Sequence, residues 1–278
     1  MASDAPVPDP NEQSASEAPS KESPEEGLRS RFSLIPADSA NVQEEVFRLR
    51  HQIFCEEFQL FETRPDGMET DDFDRHSLFL LLRSARTSEP VGCVRVVMTD
   101  PDSPRSLLPF EKACGSMLER IVLDPGKLPR NSIGEVSRLG VAAKFRRRKG
   151  EQKTPAPLAD DALHLDPVAP NPRQFPYILV SLYLGSIALA EYSSINTLFT
   201  FTELRLVTHF AKLGVPIKPI NSPIDHKGVR LPCVLDVRET IESFNPFVRG
   251  VYNEIKRQIV GQRQQGATAV EMSTGPNL

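Results

Sequence analysis

The spacing of apolar residues after residue 40 changes repeatedly between the periods of helices and strands. Segment 41–61 repeats apolar residues at helical spacing, whereas 76–84 and 90–100 are typical of two strands joined by a turn. The predicted helices are 41–61, 175–193, 203–214 and 238–262, and the predicted strands are 76–84, 90–100, 134–141, 195–203, 215–221 and 229–237. Strands interleaved with helices predict one domain of the α/β or α+β class, with a central mixed sheet flanked by helices.

Both ends of the chain and one internal segment lack this periodicity. Residues 1–30 are rich in Pro, Ser, Ala and Glu and almost free of large apolar groups, so we expect a disordered acidic tail. Residues 149–174 are proline-rich and predict a long loop, and residues 263–278 predict a flexible tail. A single domain is therefore expected over residues 31–262.

The charge distribution and the cysteine positions further narrow the class of protein. The first 26 residues hold seven acids against one lysine, so the net charge of −4 hides a remainder that is nearly neutral or slightly basic. The longest apolar run, 177–190, is shorter than the roughly 20 residues of a membrane span, and we expect no signal peptide. The four cysteines lack CxxC spacing and lie in apolar segments, which predicts buried thiols without a disulfide framework or zinc site. We therefore expect a cytoplasmic protein with no transmembrane segment and no metal.

An arginine of the first predicted helix points toward the core. On a helical wheel, Arg50 falls near the middle of the apolar arc that includes Phe54. A buried guanidinium is costly unless carboxylates pair with it, and the next segment, METDDFD, supplies Glu69, Asp71 and Asp74. A solvated acidic turn is the alternative, but the inward arginine favours a buried ion network.

Two predicted strands also carry charges among apolar residues. Arg95 lies in the middle of VGCVRVV, either on an exposed face or inside the same network. In GEVSRLGV, strict alternation would place Glu135 and Arg138 on opposite faces. A β-bulge between them would restore a common face and leave a backbone N–H unpaired, and bulges often re-aim side chains beside active sites.

In this order the charged residues resemble the autoinducer synthases, which make acyl-homoserine lactones on a GNAT-like fold. The family pattern of Arg, Phe, Glu-x-Asp-x-x-Asp, Arg and Glu-x-x-Arg falls on Arg50, Phe54, Glu69, Asp71, Asp74, Arg95, Glu135 and Arg138. The second half of the chain resembles instead the exosortase (PEP-CTERM) system-associated acyltransferases, relatives of the N-acyl amino acid synthases. That similarity includes SRLGVAAKFRRRKGE and DHKGVRLPCVLDV, and the resemblance covers roughly residues 42–240.

The resemblance implies a GNAT-like N-acyltransferase. It would move a fatty acyl group from an acyl carrier protein or CoA thioester to the amine of an amino acid, without a bound cofactor. Glu135 is the leading base or amine-binding carboxylate, and Glu69 is the second. Arg138 and Arg95 would orient these acids or hold the carboxylate of an amino acid acceptor in a bidentate pair. The residues expected to bind substrate are Arg50, Phe54, Asp71, Asp74, Arg95 and Ser137. A purely structural ion network is the alternative for all of these residues.

A cationic cluster follows the third predicted strand and consists of Lys144, Arg146, Arg147, Arg148 and Lys149. Its place just past the implied thioester site suits a phosphopantetheine phosphate and an acidic acyl carrier protein. The alternatives are a solvated basic helix start and a nucleic-acid patch. The cluster lacks the aromatic partners and the basic domain typical of nucleic-acid binding, so we expect no nucleic-acid partner.

Two further interpretations stay open. One is an acyl-homoserine-lactone synthase that uses S-adenosylmethionine, and the other is a non-catalytic acyl-carrier or lipid-binding module on the same fold. An open splay of strands ending at Glu135 would favour an enzyme, whereas packed side chains at that position would favour binding alone.

Overall fold

The computed structural model describes residues 22–103, 105–146, 151–158 and 175–273. Its α-helices are α1 Pro24–Arg29, α2 Ala40–Arg50, α3 Pro109–Cys114, α4 Tyr177–Tyr192, α5 Leu204–Lys212, α6 Val237–Ser243 and α7 Pro246–Ser273. Its strands are β1 Phe32–Pro36, β2 Ser77–Ser84, β3 Pro90–Met98, β4 Ile133–Val141, β5 Thr197–Thr202, β6 Lys218–Pro219, β7 Ile224–Asp225 and β8 Val229–Asp236. A π-helix, His51–Glu57, continues α2. Short 3-10 helices occur at Asp74–His76, Gly115–Met117, Pro125–Lys127, Arg130–Ser132, Ala143–Phe145 and Glu151–Lys153.

The strands form one mixed sheet in the order β1-β2-β3-β4-β5-β8-β6, and β7 pairs with β8 beside it. Strands β4 and β5 are parallel, while the other paired strands are antiparallel. A parallel pair needs a crossover connection, and here α4 lies between β4 and β5 in the chain. The predicted fold class, a mixed α/β sheet flanked by helices, is confirmed.

Helices cover both faces of the sheet because the central strands are apolar on both sides. Leu80 and Leu82 of β2 join the larger core cluster, which includes α4 and α7. Phe79 and Leu81 of the same strand pack on the other face with α2 and the π-helix. Strand β2 therefore reads as a continuous apolar run rather than an alternating one, as expected for a strand buried on both faces.

The chain ends are more ordered in part than their composition predicts. Residues 1–21 and 274–278 lie outside the described residues. Within the predicted disordered tail 1–30, however, Ser23 caps helix α1 and the buried Leu28 joins the main core. At the other end, α7 runs through Ser273 and so extends past residue 262, where we placed the start of a flexible tail. Helix α1 packs against α7, and past residue 262 Arg263 of α7 pairs with Asp38 at 2.9 Å, so both helices have tertiary contacts that composition does not show.

Several internal boundaries also differ from the sequence prediction. The predicted helix 41–61 changes to a π-helix at His51. The predicted helix 238–262 is two helices, since Pro246 begins a new one. Strand β1 was not predicted, and the predicted strand 215–221 is reduced to Lys218–Pro219. In the predicted loop 149–174, residues 151–158 pack against the domain: the N–H of Val141 donates to the carbonyl of Pro155 at 3.0 Å.

Two predictions about composition can be compared with the described part of the chain. All four cysteines are buried and free, as predicted. Within residues 22–103, 105–146, 151–158 and 175–273, no helix is long and apolar enough to cross a membrane.

Candidate active site

A β-bulge sets the direction of the charged residues on β4. Arg95 of β3 pairs with Ser137, but Cys93, two residues earlier, pairs with Gly140, so β4 carries one extra residue between these pairs. Arg138 lies in this bulge with a φ of 52°, in the left-handed region that most residues avoid. The bulge predicted from the sequence is therefore present, and it contains Arg138 itself.

The bulge completes a closed ring of alternating arginines and carboxylates. The members, in order around the ring, are Arg50, Glu69, Arg138, Asp71, Arg95 and Asp74. Arg50 Nε donates to Glu69 Oε2 at 2.5 Å, and Arg138 Nη2 donates to Glu69 Oε1 at 2.8 Å. Arg138 Nη2 also donates to Asp71 Oδ2 at 3.0 Å.

The second half of the ring joins β3 to the acidic loop. Arg95 Nη1 donates to Asp71 Oδ1 at 2.6 Å and to Asp74 Oδ1 at 2.7 Å. Arg50 Nη1 closes the ring on Asp74 at 2.8 Å. Arg95 Nε also donates to the hydroxyl of Ser137 at 3.0 Å, which fixes that side chain. The buried ion network that the sequence favoured over a solvated turn is therefore present.

The ring balances three positive charges against three negative ones, although Arg50 and Arg95 are fully buried. Burial of Glu69 opposes its ionisation, but Arg138 and Arg50 outweigh burial and lower its pKa to about 2. For Asp71, burial is likewise outweighed by Arg95 and Arg138, and its pKa is lowered. Both carboxylates are therefore ionised at neutral pH and are weak proton acceptors.

A cavity opens where β4 and β5 separate. The two strands pair from Ile133 to Val136 on β4, where Val136 lies opposite Thr200, and their pairing ends there. Beyond this point lies a cavity of about 210 Å³. Its polar side includes Glu135, Ser137 and Arg138, and its apolar side includes Phe54, Phe110, Tyr183, Leu206, Phe210 and Ile217.

Glu135 lies at the end of the cavity where β4 and β5 are still paired. Its side chain is 3% exposed, and its Oε2 accepts a hydrogen bond from the backbone N–H of Phe110 at 2.7 Å. Burial raises the pKa of Glu135 to about 8, against the opposing effects of the Phe110 N–H, Arg95 and Arg138. A carboxyl group with such a pKa can accept and release a proton near neutral pH.

The apolar side of the cavity is built by α4 and α5. The rings of Tyr183 and Phe210 stack with centroids 3.7 Å apart. The hydroxyl of Tyr183 is buried, and no hydrogen-bond partner for it lies within the described residues. These aromatic rings give the cavity an apolar wall that an alkyl chain can contact.

The predicted cationic cluster is only partly described, since Arg147, Arg148 and Lys149 lie outside the described residues. Lys144 is exposed and pairs with Glu89 at 2.6 Å. Arg146 does not face solvent as we predicted, because it is buried, pairs with Glu57 of the π-helix and lies over the ring of Phe58.

The cavity residues missed in the sequence include Phe61, His226, Lys227 and Arg230. The last three belong to the β7–β8 hairpin, in which Ile224 pairs with Arg230. The sequence signal is present, since DHKGVR places three basic side chains around Gly228, which has a φ of 97°. The turn could be recognised from the sequence, but the surface that the turn contacts could not.

The chain is similar to known proteins both in sequence and in fold. Residues 49–154 match the acetyltransferase (GNAT) domain family. The structure of TofI in a ternary complex with an inhibitor and MTA is 17% identical, covers 78% of this chain and 99% of its own, and has a TM-score of 0.52. The AHL synthase LasI is 15% identical, with 77% and 95% covered and a TM-score of 0.51.

FeeM, an N-acyl amino acid synthase from uncultured soil microbes, is 11% identical, with 79% of this chain and 97% of its own covered and a TM-score of 0.50. A comparison with curated protein sequences finds no match. At these identities the solved structures establish the fold alone. The GNAT match covers residues 49–154, and the prediction of an acyltransferase enzyme is confirmed. Within the described residues no group of three or more His, Cys, Asp or Glu side chains could hold a metal ion.

Proposed function

We propose that this acyltransferase moves a fatty acyl group from a carrier thioester, on acyl carrier protein or CoA, to the amine of an amino acid. The observation that carries the proposal is the position of Glu135. This protonatable carboxyl group lies where β4 and β5 separate, in a cavity whose opposite wall is apolar. The fold shared with FeeM supports the same product class. The reaction would take place in the cytoplasm, and the association with an exosortase system stays a prediction.

In the proposed reaction the amine nitrogen attacks the thioester carbonyl carbon. Glu135 Oε1 accepts the amine proton, while Oε2 stays bound to the N–H of Phe110. The carbonyl oxygen becomes an oxyanion, and a backbone N–H at the Arg138 bulge would stabilise it. The C–S bond then breaks, and the leaving thiolate takes the proton from Glu135. An amide and a free thiol are formed, and Glu135 returns to its ionised state.

The ion ring would position this site rather than react in it. Glu69, our second candidate for the base, holds Arg50 and Arg138 and has a lowered pKa, which makes it a poorer base than Glu135. Arg95 would keep the Ser137 hydroxyl in the cavity wall. Phe54 would contact the substrate directly, since it lines the cavity.

The donor would enter from the side of the basic segment that follows β4. Lys144 is exposed there, and the remaining members of the cluster, Arg147, Arg148 and Lys149, would add positive charge. An acidic acyl carrier protein would be attracted to this charge, so we propose it as a macromolecular partner. CoA is the small-molecule alternative, because its phosphates carry the same sign of charge.

Lactone synthesis from S-adenosylmethionine is the second candidate, and the fold shared with LasI favours it. The two reactions have the same donor class and differ in the acceptor. A non-catalytic carrier-binding module is disfavoured, since the splay ends in an open cavity at Glu135 rather than in packed side chains.

Mass spectrometry of lipids from producing cells tests the proposal. Cells with the unaltered protein should accumulate N-acyl amino acids, and cells with Glu135→Gln should not. Glu239→Gln is a matched control, because Glu239 is exposed and pairs with Lys218. Acyl-homoserine lactones in place of N-acyl amino acids would establish the second candidate. No new lipid from folded protein, in cells that contain carrier and amino acids, would overturn the proposal.

A further inference from the structure

Two cations approach the aromatic ring of Phe61 at the cavity wall. Lys227 Nζ lies 3.4 Å from the ring centroid, and Arg138 Cζ lies 4.1 Å from it. The distances of 3.4 Å and 4.1 Å add to an upper limit of 7.5 Å between Lys227 Nζ and Arg138 Cζ. Two cations this close repel each other, and the nearby Arg138 adds to the effect of burial in lowering the pKa of Lys227.

The cations of the cavity differ in their carboxylate partners. Arg138 belongs to the ion ring, in which three carboxylates match three guanidinium groups. Arg230, the other hairpin cation, lies 3.3 Å from Glu203. Lys227 is exposed, its Nζ donates to the carbonyl of Leu60 at 2.5 Å, and within the described part of the chain it forms no ion pair with a carboxylate. Its ammonium group at the cavity is therefore open to an anionic ligand.

The backbone also holds Lys227 in a conformation that lysine rarely adopts. Its φ is 52°, and the N–H of His226 donates to the carbonyl of Gly228 at 3.0 Å across the same turn. Non-glycine residues in this region are uncommon and cluster at ligand-binding sites. The turn directs the ammonium group onto Phe61, between the hairpin and the π-helix segment.

We propose that Lys227 and the free Nη1 edge of Arg138 bind the α-carboxylate of the acceptor. This inference rests on the proposed amino acid acylation and names the feature of the acceptor that is recognised. Arg138 uses Nε and Nη2 in the ion ring, and within the described residues Nη1 has no hydrogen-bond partner. A carboxylate that accepts a bond of about 2.8 Å at each oxygen spans the separation of the two cations.

This arrangement contacts both functional groups of an amino acid whose amine is uncharged. The carboxylate would neutralise Lys227, and the amine would face Glu135 in the same cavity. The Phe61 ring, which both cations contact, would cover part of the carboxylate site. An amine without a carboxylate would form no ion pair with Lys227 or Arg138 and would bind more weakly.

Titration calorimetry with two product analogues tests the carboxylate site without turnover. The probes are N-decanoylglycine and its uncharged amide, N-decanoylglycinamide. The unaltered protein should bind the acid at least about tenfold more tightly than the amide, as expected for one charge-assisted pair. Lys227→Met should lose most of this preference, since only Arg138 would still bind the carboxylate, and Lys227→Arg should retain more of it. Lys218→Met, which removes an exposed lysine outside the cavity, should leave the preference unchanged.

The outcomes distinguish this inference from the proposed function. Loss of N-acyl amino acids in Glu135→Gln together with equal binding of acid and amide by the unaltered protein would overturn the carboxylate site alone. A preference for the acid that Lys227→Met reduces and Lys218→Met does not, in a protein that forms no N-acyl amino acid, would overturn the proposed function alone. Failure of the unaltered protein to bind either probe would overturn the carboxylate site.

Discussion

Replacing Glu69 with glutamine tests whether the ion ring stabilises the fold through its ionised carboxylates. Glu69 is buried and accepts hydrogen bonds from Arg50 and Arg138. These guanidinium groups outweigh burial and lower its pKa from 4.5 to about 2. A fall of this size corresponds to roughly 3 kcal/mol of free energy of unfolding.

The pH dependence of this contribution has a definite sign. Because the pKa is lower in the folded state, the stabilisation is fully present above the unfolded value of 4.5 and is lost as the pH falls toward about 2. Glu69→Gln should therefore be less stable than the unaltered protein by roughly 3 kcal/mol at pH 7. The difference should shrink by roughly 1 kcal/mol by pH 3.5.

Urea unfolding at a series of pH values between 7 and 3.5 measures this difference directly. Glu239→Gln serves as the control, since its partner Lys218 and Glu239 itself are both more than half exposed, and exposed pairs contribute little. A free-energy difference for Glu69→Gln that stays constant over the whole pH range would refute the reasoning. So would a loss no larger than that of Glu239→Gln.

Three further results are expected. The kcat/KM for acyl transfer should rise as the pH increases toward about 8. Burial raises the pKa of Glu135 to about 8, and the ionised form of Glu135 accepts the proton. A pH profile of kcat/KM that is already flat below pH 6 would contradict this assignment. Tyr183→Phe should unfold at an equal or higher temperature, because it removes a buried hydroxyl without a partner in the described structure. Gly92→Ala should lower the free energy of unfolding by about 1–3 kcal/mol in a urea titration, because a Cβ would lie 2.7 Å from the Gly140 carbonyl oxygen. Unchanged stability of that variant would show that the strand pair can shift.

The ion ring could be predicted because the sequence indicates an arginine whose burial is energetically costly. Arg50 on an apolar helical stripe requires acids, and Glu69, Asp71 and Asp74 follow within one short segment. The bulge could be predicted for the same reason, since Glu135 and Arg138 share a face only if the strand register changes. Local sequence patterns were sufficient for prediction wherever a charged residue lay on an otherwise apolar face within a few residues.

Contacts between distant segments could not be predicted in this way. Arg146 was expected at the surface, but its partner Glu57 lies 89 residues earlier on a π-helix that no sequence pattern indicated. Lys227 reaches the carbonyl of Leu60 across 167 residues, and nothing in DHKGVR shows which surface the turn meets. Strand β8 brings this hairpin to the cavity by pairing beside β5, and that order follows from tertiary packing.

The two glutamates of the site show how one fold gives the same side chain opposite pKa shifts. Glu69 lies between two guanidinium groups, which hold it ionised with a pKa of about 2. Glu135 is buried with one backbone N–H as its hydrogen-bond partner, and burial raises its pKa to about 8. Pairs of carboxyl groups whose pKa values are driven apart by their surroundings commonly divide structural and proton-transfer work. If Glu69 were the base instead, protonating it would break two buried ion pairs in every turnover. The geometry therefore favours Glu135 as the proposed base, and the ring would keep Arg138 fixed beside the proposed acceptor during proton transfer.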